Sequence, residues 1–153
     1  MDNIYFDSSD FEAKFDKIVR STIPELIEKG LGRAMLQLLN DCVMEVPTVP
    51  LREGWLRGSG SVFVQNALVY TTELFPTARP KYALKNYAEA VTIGDLVGVI
   101  GFNAPYAAKT HEGIDLHFRE PSSGPKYLES KMLRNRETYA LIIANTIKEG
   151  GND

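Results

Sequence analysis

Helical periodicity occupies the two ends of this chain, and short β-branched runs fenced by glycine and proline lie between them. Phe11, Phe15, Ile18, Val19, Thr22 and Leu26 recur at spacings of three and four. Leu31, Met35, Leu38 and Cys42 resume the stripe. Such spacing lines one face of a helix with apolar side chains. Leu128, Met132, Tyr139, Ile142, Ile143 and Ile147 repeat the pattern near the other end. In the middle, residues 61–66 read as a strand. Residues 88–93 and 96–102 flank Gly94-Asp95 and read as a hairpin. The expected class is α+β: an N-terminal kinked helix or helix pair and a C-terminal helix, packed on a small antiparallel sheet.

Punctuation refines this plan. Asp10 suits an N-cap, with Glu12 in the first turn. Pro24 kinks the first helix or opens a second one. Gly30 and Gly32 weaken it, predicting a bend over residues 22–32. Pro47 and Pro50 end it. Gly58-Ser59-Gly60 reads as a flexible connector, and residues 67–71 continue the first strand past a bulge. Residues 72–86 hold Pro76 and Pro80 without a clear period, and residues 113–125 form a second long loop. Pro125 opens one last helix, which Gly150-Gly151 closes. No internal repeat or linker divides residues 1–153. A length of 153 residues suffices for one domain with its own core.

The same residues narrow the chemistry. A net charge of −3 argues against high-affinity nucleic-acid binding, which needs clustered Lys and Arg. The acidic, polar start at residues 1–7 lacks the pattern of a signal peptide. No run approaches the ~18–20 apolar residues of a membrane span. Cys42 is the only cysteine, so no intrachain disulfide is expected; its apolar setting makes it a small buried hydrophobe. His111 and His117 are the only histidines. Their spacing does not match a helical His-Glu-x-x-His pair, and Gly113 interrupts such a helix. With Glu112, Asp115 or Glu120 they could still hold an ion across a loop. No phosphate-binding loop occurs, and Ser59 and Ser61 lack the strand-to-helix setting of an exposed nucleophile. The expectation is a protein that is not an enzyme, with no catalytic, cofactor or metal residues. Lys126, Lys131, Arg134 and Arg136 read as ordinary exposed charge or as a face for an acidic neighbour. Trp55, beside Arg52 and Arg57, is either a core plug or an interface anchor. Tyr106 carries the same choice.

Three segments stand in order along the chain. The first supplies Val46, Pro47, Gly54, Leu56, Arg57 and Ser59. The second supplies Tyr106, Ala107, His111, Glu112 and Gly113. The third supplies Lys126, Tyr127, Leu128 and Glu129. Together they resemble the tail-completion family of tailed bacteriophages, neck or head–tail joining proteins also called minor capsid proteins. The first segment is longer than the family pattern, because Thr48 to Glu53 replace a tighter step. The resemblance implies a homo-oligomer, a ring of six, in the neck of the virion after assembly in the host cytoplasm. Its partners would be the head connector or stopper and the tail terminator or tail tube. DNA would pass through the lumen without specific binding, with no cofactor and no membrane involved. Loops would supply the mating surfaces. The interface candidates are Arg52, Trp55, Arg57, Phe75, Tyr82, Tyr106, His111, Glu112, Lys126 and Tyr127. Three alternatives stay open: a tail-terminator ring, a host-directed binding protein, and a small metal-dependent hydrolase centred on His111, Glu112 and His117.

Overall fold

The computed structural model describes residue 13 and residues 16–64, 67–71, 78–79, 82 and 98–151. Helix α1 runs over Ile23–Met44, with a π-helical turn at Ile18–Thr22 leading into it. Pro24 lies in its first turn, where a missing amide hydrogen costs nothing. The helix then continues without a break through Gly30 and Gly32. Gly30 marks a close crossing: a Cβ there would sit 3.0 Å from the Cα of Ile143.

The sheet has three strands, β1 (Gly60–Val64), β2 (Ala67–Thr71) and β3 (Gly98–Phe102), in the order β2-β1-β3. Both pairings are antiparallel. Ser61 faces Thr71 and Val64 faces Ala67, with a bulge at Val62/Phe63; Gly60 faces Phe102 and Val64 faces Gly98. Residues 67–71 thus fold back beside the first strand instead of extending it. The sequence signal for this was the polar pair Gln65-Asn66 between two apolar runs. Of the predicted second hairpin, β3 is the described part; residues 88–93, like Asp10, Phe11 and Phe15, lie outside the described residues.

Strand β1 is buried along its whole length, as a central strand under a helix must be. Met35 and Leu39 of α1 pack on Val62 and Val64. One turn further along, Leu38, Cys42 and Val43 meet Val49, Leu56, Ala104, Ala107 and Tyr127. The architecture is α+β, with helices and a small antiparallel sheet.

The C-terminal helix is two helices, α3 (Glu129–Arg134) and α4 (Arg136–Gly150), preceded by the short α2 (Ala107–Glu112). The break falls at Asn135, whose amide donates to Glu45 Oε2 at 3.0 Å and Asp41 Oδ2 at 3.3 Å. Tyr139 donates its hydroxyl to Asp41 Oδ2 at 2.7 Å, and Gln37 donates to Oδ1 at 2.8 Å. This network anchors α4 to the C-terminal end of α1. Met132, expected on the buried stripe, is half exposed. Among the described residues, no helix is long and apolar enough to cross a membrane.

Candidate interaction site

The three segments singled out in the sequence converge. A short parallel bridge joins Thr48 to Ser123, with Thr48 N donating to Ser122 O at 2.8 Å. Lys126 N donates to His111 O at 2.7 Å, and the buried Tyr127 hydroxyl donates to Ala107 O at 3.1 Å. Segments more than 70 residues apart in sequence thereby form one layer against the second half of α1.

Lys131 locks this layer from inside. Its side chain is fully buried, and its ammonium donates to Pro47 O, Tyr127 O and Ser130 Oγ. Burial holds its pKa below the usual lysine range. The expectation of an exposed charge is overturned, because the loop at Pro47 and the turn at Tyr127 wrap the amine and satisfy it with carbonyls. Tyr127 is likewise core, 1% exposed, and not an interface residue. Its ring packs edge-on against Phe102 and His111, with centroids 5.4 and 4.9 Å apart. Burial pushes its phenol well above the ordinary tyrosine range.

The Gly58-Ser59-Gly60 stretch is no flexible connector. Arg57–Ser59 form a buried 3₁₀ turn, and Gly60 begins β1. Ser59 Oγ donates to Leu56 O at 2.7 Å and accepts from Asn103 N at 3.1 Å. A Cβ at Gly58 would collide with the backbone of Arg79, so only glycine fits. Arg57 is also buried, with its guanidinium donating to Val49 O at 3.1 Å and lying 3.9 Å from Glu120. Burial draws its pKa down. Arg57 thus braces the first segment from within and does not present itself to a partner.

What remains at the surface is a cleft of about 460 Å³ between residues 50–56, the start of α2 and the 116–119 loop. Trp55, Tyr106, Leu116 and Phe118 give it apolar walls; Arg52, His117 and Arg119 add basic groups, with Glu53 the one acid among the described residues. Trp55, Tyr82 and Tyr106 stack edge to face in sequence, with centroids 6.3 and 6.2 Å apart. Burial first, then Tyr82 and Glu53, raises the Tyr106 phenol above its usual value. Among the described residues, neither Arg52 nor Arg119 has a carboxylate partner. Leu116, Phe118 and Arg119 were not among the sequence candidates. The aromatic-basic pair Phe118-Arg119 inside a predicted loop was the available clue. Phe75 lies outside the described residues.

His111, Glu112 and Lys126 form a second cluster on the other side of α2. His111 Nδ1 lies 2.7 Å from Glu112 Oε1, and its Nε2 accepts from Glu129 N at 3.3 Å. Lys126 bridges Glu112 and Glu129. The lysine ammonium holds the Glu112 carboxyl below its usual range, and Glu112 in turn raises the lysine. Ligand atoms of His111, Glu112 and Glu129 lie within 4.8 Å of one another. A metal ion there would have to displace the Lys126 ammonium. His117, which the metal-dependent alternative grouped with His111, lines the cleft instead. Compared with family models, curated proteins and solved structures, the chain matches none.

Proposed function

We propose that this chain is a structural assembly subunit, of the kind that joins head to tail in the neck of a tailed bacteriophage. One observation carries the reading: the three segments that resemble the tail-completion family build a single braced layer with an aromatic-basic cleft at its edge. A rigid frame that presents loops suits mating with a differently shaped neighbour. In a closed ring each copy would meet the next through two different patches. Arg52, Trp55, Tyr82 and Tyr106 are the residues assigned to contact; Arg57 and Tyr127 hold them in place.

The test is made in a phage that encodes the chain. Disrupting its gene is expected to give filled heads and separate tails, with joining restored in extracts by the purified protein. Mass spectrometry of purified wild-type virions is expected to find the chain, and imaging to place it at the neck rather than at the tail-tube cap. Normal joined particles from the disrupted gene would overturn the proposal.

A further inference from the structure

The cleft edge is basic and aromatic, and the chain carries a segment of opposite charge and matching apolar content. Residues 1–12 hold Asp2, Asp7, Asp10 and Glu12 with no Lys or Arg, alongside Ile4, Tyr5, Phe6 and Phe11. The remainder of a chain of net charge −3 is therefore close to neutral. The cleft offers Arg52 and Arg119 for the carboxylates and Trp55, Tyr106 and Phe118 for the rings. Pairing of this kind steers association and fixes register.

Geometry decides whose segment can enter. The cleft borders Val49 and Leu56, which pack against Leu38, Cys42 and Val43 in the second half of α1. Residue 13 lies on the helical run that leads into the opposite end of that helix. Leu38 stands 25 residues along that run from residue 13, about 37 Å at helical rise. Twelve residues reach at most ~40 Å when fully extended. Turning back along the helix to the cleft would use nearly all of that reach and leave about one residue to dock. A neighbouring copy meets no such limit.

We infer that residues 1–12 of one copy dock in the cleft between residues 50–56 and 116–119 of the next, a head-to-tail contact between copies of this chain. The inference does not rest on the neck reading, although it supplies the two-patch contact that a ring needs.

Cysteine pairing in the full-length protein tests it. Phe6→Cys is placed in one chain and Leu116→Cys, at a partly exposed position, in a second chain carrying a mass tag. Mild oxidation of the mixture is expected to give the mixed dimer as the main product. Arg52→Glu with Arg119→Glu in the second chain should lower its yield roughly tenfold, because like charges would then face each other across the contact. Asp2→Lys with Asp7→Lys in the first chain should restore it, a rescue that a misfolded cleft could not give. A chain bearing both cysteines that links to itself at monomer mass would overturn the assignment. So would a yield indifferent to both charge reversals, which would leave the cleft to an acidic segment of another protein. Absence from virions sinks the neck reading and leaves this contact standing; failure of the mixed link does the opposite.

Discussion

Lys126 and Lys131 stand five positions apart in sequence and occupy opposite physical regimes. Lys126 lies at the surface between two carboxylates, Glu112 and Glu129, in a left-handed backbone conformation with φ of 58°. Lys131 is sealed inside, facing the Pro47 carbonyl of a loop 84 residues away and the carbonyl of nearby Tyr127. The first has the better charge partners and the second the greater structural weight. Water screens the exposed pair, so its ions gain little by meeting. The buried amine has no solvent to replace lost donors, so each carbonyl depends on it. Ion-pair count is thus a poor guide to what holds this layer together.

Lys131→Met breaks the comparison most sharply. The stem volume is kept, but Pro47 O and Tyr127 O lose their donor, and urea unfolding should show a loss of about 2–3 kcal/mol. Next comes Tyr139→Phe, which deprives Asp41 of a short hydrogen bond. It should cost about 1.5 kcal/mol by the same measurement. An equal or smaller loss for Lys131→Met than for an exposed lysine would defeat the argument.

An alkaline titration sharpens it. Burial raises the phenols of Tyr127 and Tyr139, and for Tyr139 the Asp41 hydrogen bond adds to this. In the unfolded chain they ionise near 10, while the folded chain keeps them protonated. Their stabilisation is complete below pH 10 and drains away as pH climbs toward the folded values. Lys131 acts with opposite sign, because the unfolded chain binds its proton more tightly than the folded one. Urea midpoints should fall between pH 9 and pH 11. They should fall less in Tyr139→Phe and more in Lys131→Met.

The smallest effect belongs to Lys126. Lys126→Ala should lower the urea midpoint least of these variants, and less still at high salt. Lys126→Gly should be closer to neutral, since glycine accepts the left-handed backbone without a steric penalty.

The sequence made the helix–strand–helix plan legible because periodicity is local. Pro47 marked the end of α1 and the apolar setting marked Cys42 as buried, both within a few residues. The misjudged positions all depend on distant partners. Lysine at 131 reads as solvent-exposed by any local rule; its burial is created by Pro47. Asn135 is an unremarkable helix residue until Asp41 and Glu45, 90 or more residues earlier, draw its amide inward. Ser59 sits between glycines and resembles a linker, yet Asn103, just past the paired strand β3, fastens it. For the cleft, Arg52, Trp55 and Tyr106 were legible as exposed-type candidates. The 116–119 wall was not, since a loop's path has no periodic signature.

Cys42 lies at 0% exposure, and burial pushes its thiol up to about 12. Only the thiolate attacks an alkylating reagent. A folded molecule should therefore wait until it opens before it can be labelled, and an exposed thiol in the opened chain reacts at its ordinary rate. Alkylation of wild-type protein becomes a clock that ticks once per opening of the core, readable by mass at nanogram scale and without denaturant.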